Sequence, residues 1–461
     1  MNKITFLIIY FTLSVSNAYC NDTLYLQDFL DVIRSNHPLI KKADLYDEFS
    51  DAYQQKGKGV LDPKLQSAYK RKHFSDTDYY TVWQSELKVP TILPLDFSVG
   101  YENNEGQFLS NDDTVPNQGL LYGTLNLSLF RGLLFDDQRY RIHTAELKGI
   151  QSQIDKNLLT REIIHQAVRS YLEWSTSYYE TMLYNDYVNL VRTRHLNVID
   201  LFINGASPAI DTIESIVNLN TAEKNYLETS DKLISKEQKL SLFIWNEEGQ
   251  ALKMSNMVIP ENLDELLAYL EEVSLIINPD FENDPSIRKF KNKIELLELS
   301  NRLEREQLKP QLDLKYNTIV NLGKDDFGPT LNLNDYKYGV SFEYPILNRK
   351  SKGEIQLNEA LIDQNELDKQ QYQETLANKY EELNRRQVVQ QNIWNIANQK
   401  ITNSESLYQA EILKFQLGES SVFLLNQRER KFLEARTELI KSYLALGELL
   451  NDMFYLKLGQ L

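Results

Sequence analysis

The feature that most restricts the fold of this chain is a duplication of its sequence pattern. Asn36-His37-Pro38 opens a helical stretch that closes at Pro63, and Asn283-Asp284-Pro285 opens a second one that closes at Pro310. The opening and closing prolines have the same separation in both halves, and each closing proline lies in a Leu-x-Pro-x-Leu segment. We therefore expect two repeats, over residues 19–250 and 285–461, joined by a linker over residues 251–284.

Each Leu-x-Pro-x-Leu segment leads into residues whose side chains alternate between apolar and polar. This alternation covers residues near 65–73 and 120–131 in the first half, and near 311–322 and 336–347 in the second. A period of two predicts β-strands with one apolar and one polar face. Such strands suit a wall with lipid on one side and water on the other.

The second strand of each half is followed by a long segment without proline, rich in Leu, Glu, Gln and Lys. These segments predict helical hairpins over residues 135–245 and 350–456, with limbs up to about 100 Å long at ~1.5 Å per residue. Apolar residues recur at spacings of three and four, which indicates amphipathic seams. Gly205-Ala206-Ser207-Pro208 and Gly418-Glu419-Ser420-Ser421 interrupt the two hairpins at equivalent places. Glycine suits the end of one helix, and serine can cap the next.

The first half contains additional residues between its two strands, over residues 76–119. This segment contains two aromatic-rich stretches, at 79–83 and 97–101. A polar loop rich in Asn, Asp and Gly follows at 103–117. We interpret the segment as an extra hairpin with an exposed turn.

The N-terminus has the pattern of an export signal. Lys3 precedes an apolar run over residues 4–15 that is too short to span a bilayer as a helix. We expect removal of residues 1–18, with cleavage after Cys20 as the second choice. Cleavage just before Cys20 would permit lipidation of its thiol, but Tyr19 is bulky where small residues normally precede an acylated cysteine. Lipidation of Cys20 therefore stays an open alternative.

Charge and motifs argue against several functional classes. The net charge of −16 disfavours a nucleic-acid partner. The sequence has neither a phosphate-binding glycine loop nor a Gly-x-Ser-x-Gly elbow, so we expect no enzyme and no cofactor. Glu162 and His165 have the spacing of one half of a di-iron site, but no other histidine repeats it. A solvated or interhelical His165 is the preferred interpretation.

The ordered set of elements, occurring twice, resembles the TolC-like family of outer-membrane efflux proteins, the outer membrane factors. The resemblance covers nearly all of the mature chain. It implies a mainly α fold with a transmembrane β-barrel contribution, in which long antiparallel helical hairpins accompany four barrel strands per protomer. Three protomers would form a 12-stranded barrel and an α-helical tunnel. The barrel would lie in the outer membrane of a Gram-negative cell, and the helices in the periplasm.

The resemblance also assigns roles to the hairpin turns. In the family they dock onto a periplasmic adaptor, which here implies contact through Gly205, Ala206, Ser207, Pro208, Gly418, Glu419, Ser420 and Ser421. A purely local capping role for these residues is the alternative.

Family members often narrow the entrance with acidic residues past the second glycine. The corresponding residues here, Leu424 and Gln427, are uncharged, whereas Asp211 and Glu214 occupy the equivalent offsets of the first hairpin. These four residues are the gate candidates. Acids early in a helix are also ordinary complements of the helix dipole.

The implied function is a passive conduit of a tripartite efflux or type I secretion system. Its implied partners are two further copies of itself, a periplasmic adaptor, an inner-membrane pump of the RND or ABC type, and outer-membrane lipid. An exported coiled-coil scaffold or adhesin without a pore is the alternative, and a periplasmic adaptor is a third reading. The duplicated strands disfavour the scaffold, and the two hairpins disfavour an adaptor, which carries one.

Overall fold

The computed structural model describes residues 22–116, 118–254, 258–275, 281–322 and 334–458. The expected export signal, residues 1–18, and Cys20 lie outside them. In chain order the described elements are β1 (Asp22–Leu24), α1 (Leu26–Asn36), α2 (Pro38–Lys58), β2 (Lys64–Phe74), β3 (Thr77–Val89), β4 (Leu95–Glu105), β5 (Leu120–Phe130), α3 (Asp137–Ile203), α4 (Ala209–Ser241), β6 (Val258–Pro260), α5 (Leu263–Ser274), α6 (Pro285–Gln307), β7 (Gln311–Asn321), β8 (Tyr336–Glu343), α7 (Arg349–Gln416) and α8 (Val422–Leu458).

Two long helical hairpins dominate the chain, which confirms the predicted mainly α fold with long antiparallel hairpins. Helices α3 and α4 contain 67 and 33 residues, and α7 and α8 contain 68 and 37. Proline is absent from all four helices, so nothing removes a backbone donor within them. Among the described residues, no helix carries an apolar stretch long enough to cross a bilayer.

The chain divides into two compact units, each with its own packing. The tip unit, named for the hairpin turns it contains, takes the described residues of Met1–Ile40, Glu162–Ile277 and Glu382–Lys457. The sheet unit takes those of Lys41–Arg161, Asn278–Glu381 and Leu458–Leu461.

Among its described residues, the sheet unit contains a six-stranded antiparallel sheet in the order β2-β3-β4-β5-β7-β8. Six strands lie in this sheet where four per chain were expected. The two additional strands are β3 and β4, formed by the extra segment of the first half.

A tight turn joins β2 to β3 through Ser75 and Asp76, whose φ angles are 50° and 60°. Positive φ at both central residues matches the twist of a hairpin, but Ser-Asp lacks the glycine that usually marks such a turn.

The register of the sheet gives it one apolar and one polar face. On the apolar face, Tyr69 lies opposite Trp83, Leu87 opposite Val99, Phe97 opposite Leu125, Leu127 opposite Leu314, and Leu312 opposite Phe342. On the polar face, Gln66 lies opposite Glu86, Asp96 opposite Asn126, Asn126 opposite Lys315, and Gln311 opposite Glu343. The separation of faces extends through all six strands, including β3 and β4, with apolar exceptions such as Val82, Tyr122 and Ile319 on the polar face.

Three helical segments pack together within the sheet unit. Lys156 of α3 donates to Asp47 of α2 at 2.6 Å, and Asn292 of α6 donates to the Leu147 carbonyl of α3 at 3.1 Å. Asp284 caps α6 by accepting from the Ser286 amide, and its carboxylate also receives the buried Arg161 guanidinium at 2.8 Å. The Asn-Asp-Pro segment of the second repeat therefore both starts a helix and pairs a buried charge.

The tip unit has an aromatic core. Phe29 of α1 packs on Tyr171 of α3, with ring centroids 5.6 Å apart, and Tyr171 in turn contacts Trp174. All three rings are fully buried. The 251–284 segment supplies β6, which pairs in parallel with β1, and α5, which is capped by Asn262.

Candidate functional site

The first hairpin turn ends α3 with a hydrogen-bonded motif that requires a left-handed residue. The Gly205 amide donates to the Phe202 carbonyl at 2.9 Å, and the Ala206 amide donates to the Leu201 carbonyl at 2.8 Å. These two bonds form a Schellman motif, which satisfies carbonyls that the helix end leaves unpaired. Gly205 has a φ of +73°, which a glycine adopts without steric cost.

The second hairpin turn repeats the same motif at the end of α7. The Gly418 amide donates to the Phe415 carbonyl at 3.1 Å, the Glu419 amide donates to the Lys414 carbonyl at 2.9 Å, and Gly418 has a φ of +76°. The two turns therefore share their backbone structure although the residues around the glycines differ.

The serines of the two turns act differently. Ser421 caps α8, since its hydroxyl accepts from the Leu424 amide at 3.3 Å, whereas Ser207 does not cap α4 and donates instead to the Asp211 carboxylate at 2.7 Å. Ser420 donates to Glu411 at 2.5 Å and so joins the turn to α7. Pro208 occupies the N-cap of α4 without a side-chain bond.

Large apolar side chains surround both turns and face solvent. Ile203 is 73% exposed and Leu417 is 74% exposed, and Ile210 and Phe423 are exposed as well. Each of these residues lies within five positions of a turn glycine. Exposed apolar side chains that cluster at a helix end are typical of a surface that binds another protein.

The four gate candidates all lie in the first two turns of α4 and α8. Asp211 and Glu214 are half-buried, and Asp211 is held by Ser207. Leu424 is exposed and Gln427 is half-buried. The acidic pair therefore lies on the first hairpin and the uncharged pair on the second.

A buried charged cluster that was not predicted from the sequence links the hairpins in the tip unit. Arg194 of α3 forms a two-armed ion pair with Glu429 of α8, one arm with a nitrogen–oxygen distance of 2.8 Å. Their side chains are 12% and 2% exposed. Tyr408 of α7 donates to Glu429 at 3.0 Å, and burial together with the nearby Glu429 charge raises the pKa of Tyr408 to about 12. Asn426 accepts a further bond from Arg194.

One feature of the sequence could have indicated this cluster. Glu429 lies at helical spacing between Leu425 and Leu433, both of which are buried apolar residues of α8. A carboxylate on the apolar seam of an amphipathic helix requires a buried partner. Pattern alone does not identify Arg194 as that partner, because it lies 235 residues away along the chain.

His165 lies between helices of the tip unit, one of the two locations expected from the sequence. Its Nε2 atom lies 3.0 Å from Asp452 Oδ1, and its ring packs on Tyr455. No group of three or more residues suited to holding a metal ion occurs in the described part of the chain.

An open cleft of ≈ 960 Å³ borders the polar face of the sheet, within the sheet unit. Strands contribute Gln66, Glu86, Lys88, Asp96 and Lys315 to its wall, and α2 and α3 contribute Lys56, Arg141 and Lys148. The polar face therefore lines a solvent-accessible space, whereas the polar side chains of a packed core would be enclosed.

Comparison with known proteins relates this architecture to one class of channel. No protein-family model matches the sequence, and no curated protein matches it. Among solved structures, the CmeC outer-membrane channel of Campylobacter jejuni aligns with a TM-score of 0.66 at 13% identity, over 94% of this chain and 85% of that chain. The open MtrE outer-membrane channel of Neisseria gonorrhoeae aligns with a TM-score of 0.63 at 13% identity, over 94% and 88%. VceC, an outer-membrane protein of Vibrio cholerae, aligns with a TM-score of 0.60 at 12% identity, over 94% of each chain.

These similarities cover nearly the whole of both chains, so they concern the complete architecture. The chain has the fold of the TolC-like outer-membrane channels.

Proposed function

We propose that this protein is the outer-membrane channel of a tripartite efflux or type I secretion system. It acts as a homotrimeric passive conduit across the periplasm and the outer membrane of a Gram-negative cell, and it performs no chemistry of its own. A periplasmic adaptor joins it to an inner-membrane pump of the RND or ABC type, which supplies the energy.

The observation that carries this proposal is the two-faced sheet. Its apolar face is exposed over all six strands, while its polar face borders an open cleft. A water-soluble sheet buries its apolar face and leaves its polar face to solvent. The reverse arrangement is expected where lipid contacts the apolar face and an aqueous lumen contacts the polar face.

Two further features support the proposal. The structures that this chain resembles are described as outer-membrane channels, from several bacterial species. The hairpin turns in addition carry exposed apolar side chains such as Ile203 and Leu417, which suit a docking surface for an adaptor. We assign Gly205 to Pro208 and Gly418 to Ser421 to this contact.

We further propose that Asp211 and Glu214 contribute negative charge to the entrance, with Leu424 and Gln427 as its uncharged lining. Three copies of each acid would favour cations at the mouth.

The test combines native mass spectrometry in detergent with conductance across planar bilayers, using the mature full-length protein. We expect a trimer and discrete, long-lived conductance steps. A stable monomer, or well-folded protein that never conducts, would exclude a channel and favour an exported scaffold or adhesin.

A further inference from the structure

The sheet ends in two strands that present unpaired edges. Strand β2 pairs only with β3, and β8 pairs only with β7, among the described residues. Every residue of both strands is exposed. The outer edge of each strand leaves backbone donors and acceptors without strand partners, which lipid cannot satisfy. If this sheet lies in a membrane, both edges require a partner strand.

All six strands are suited to the membrane wall, including the additional pair. Trp83 and Leu87 of β3 and Phe97 and Val99 of β4 are exposed on the same face as Leu65 and Phe342 of the edge strands. If β3 and β4 lay outside the wall, these side chains would have no lipid to contact. The β3–β4 hairpin moreover lies inside the sheet, where it is paired with β2 on one side and with β5 on the other. It cannot leave the wall without breaking the sheet.

The two edges are compatible with each other in direction. Successive strands of the sheet are antiparallel, so an even number of strands leaves β2 and β8 running in opposite directions. Strand β8 of one copy can therefore pair with β2 of the next copy, and the strands remain antiparallel across this junction. Closure within one chain would give a six-stranded barrel, narrower than the ~8 strands at which side chains just fill the interior.

The existing register determines how the edges meet. Residues directly opposite each other connect Lys64 across the sheet to Lys337, through Lys88, Ser98, Thr124 and Asn317. Glu343, the last residue of β8, lies six residues beyond Lys337 (343 against 337). The sheet is therefore staggered by six residues between β2 and β8. Spread over six strand spacings, the five within the sheet and the one to the next copy, this is about one residue (~3.3 Å) for each ~4.8 Å spacing, a tilt of about 35°. This value falls within the ~35–45° of membrane barrels.

The strand ends that join helices favour one pairing. Phe130, at the end of β5, lies opposite Gln311, at the start of β7, and Gln311 lies opposite Glu343. The same alignment between copies would place Lys64, the first residue of β2, opposite Glu343. On the polar face this register joins the opposite charges of Lys64 and Glu343, and it also places Lys70 opposite Lys337. On the apolar face it brings Leu65 next to Phe342 and Tyr69 next to Tyr338.

We propose that β2 of one copy pairs with β8 of the next, with Lys64 opposite Glu343, so that three copies close a wall of 18 strands. This inference rests on the proposed function, from which it takes the trimer and the membrane, and it replaces the 12 strands expected from four per chain. At a tilt of about 35° the wall is roughly 34 Å across, against about 22 Å for 12 strands. The additional hairpin therefore widens the pore.

Disulfide cross-linking between copies tests the pairing. In a Cys20→Ser background, Gln66→Cys and Ser341→Cys are combined in one chain. The proposed register places these residues opposite each other on the polar face, within the ~4.4–6.8 Å Cα separation that a disulfide accepts. Oxidation of the detergent-solubilised trimer should then produce covalent dimers and trimers on a non-reducing gel.

Control variants test the register, and conductance separates a failure of the pairing from a failure of the proposed function. Each single variant should produce no linked trimer, and Gln66→Cys with Lys337→Cys should produce none because these residues are four positions out of register. Linkage only in the second pair, or an image of the trimer with 12 wall strands, would overturn the proposal. A conducting trimer that never links through Gln66→Cys and Ser341→Cys would refute the pairing while leaving the channel intact. A non-conducting monomer would refute both.

Discussion

Arg194 and Glu429 show how burial changes the effect of an ion pair on stability. Their pair is almost fully enclosed. Arg192, two residues before Arg194 on α3, forms a second ion pair with Glu223 of α4, and the side chains of this pair are 51% and 42% exposed. Water screens the second pair and competes for its hydrogen bonds. Loss of one partner from the first leaves an uncompensated charge in the interior.

We predict that Arg194→Ala lowers the free energy of unfolding by about 3–5 kcal/mol, because it leaves the Glu429 carboxylate buried without its ion-pair partner. Arg192→Ala, the matched control, should cost at most about 1 kcal/mol. Denaturant titration of both variants in detergent measures the difference. Equal effects of the two substitutions would contradict a burial-dependent role.

Glu261 gives the tip unit a pH dependence. Burial raises the pKa of its carboxyl. The carboxyl also accepts hydrogen bonds from the Leu26 amide at 2.8 Å and the Tyr171 hydroxyl at 3.2 Å, which lower its pKa by a smaller amount. A folded-state pKa above the unfolded value means that the contribution of Glu261 to stability is fully present below the ordinary glutamate pKa. It is lost as the pH rises through the folded-state pKa.

We therefore predict that Glu261→Gln raises the thermal midpoint at pH 7 and leaves it nearly unchanged at pH 4. The amide oxygen keeps both hydrogen bonds and carries no charge. Glu272→Gln, at an exposed residue of the following helix α5, is the control. Thermal melts across this pH range provide the measurement, and a lower midpoint for Glu261→Gln at pH 7 would show that the charge itself stabilises the fold.

At the scale of elements, the two hairpins depend on backbone geometry at their turns. Gly205 and Gly418 have positive φ angles, and a β-carbon at either one would meet no atom within 4 Å. The preference for glycine there is consequently one of backbone conformation alone. Gly353, inside α7, also has open space around it but has no positive φ.

We predict that Gly205→Ala and Gly418→Ala each destabilise the protein by about 1–2 kcal/mol, the cost of a left-handed alanine. Gly353→Ala should stabilise it by up to about 1 kcal/mol, because alanine is the better helix former. Comparison of the three unfolding midpoints tests the assignment. Stabilisation by Gly418→Ala would mean that the Schellman turn is not retained.

At the scale of the whole molecule, the environment of the apolar face separates a channel from a soluble scaffold. Val340 and Ser341 are adjacent and exposed on β8, with side chains on the apolar and polar faces respectively. In water, arginine at either position would be tolerated. In a bilayer, arginine facing lipid costs about 2–4 kcal/mol near the midplane.

Val340→Arg should therefore reduce the amount of folded trimer recovered from outer membranes, whereas Ser341→Arg should leave it close to wild type. Heat-modifiable migration of the two variants on a gel provides the measurement. Equal recovery of both would place the apolar face in water.

Local chemistry explains why much of the architecture could be predicted. Period-two alternation identifies strands β2, β5, β7 and β8, and glycine followed by serine identifies both hairpin turns, since these patterns act over a few neighbouring residues. Residues 76–119 were also expected to form a hairpin. The sequence did not indicate that β3 and β4 enter the same sheet as the duplicated strands, because strand pairing is not encoded in the pattern of one strand.

The sequence by itself determined the two repeats, the long hairpins, their turns and the two-faced strands, all of which follow from spacing along the chain. The tertiary structure alone decided the partners of those elements. It placed β3 and β4 within the sheet, joined Arg194 to Glu429 across 235 residues, and left β2 and β8 as the edges of the sheet that the described strands form. The physical reason is that backbone hydrogen bonding lets any strand pair with any other. The choice depends on which apolar faces become continuous once the chain has folded.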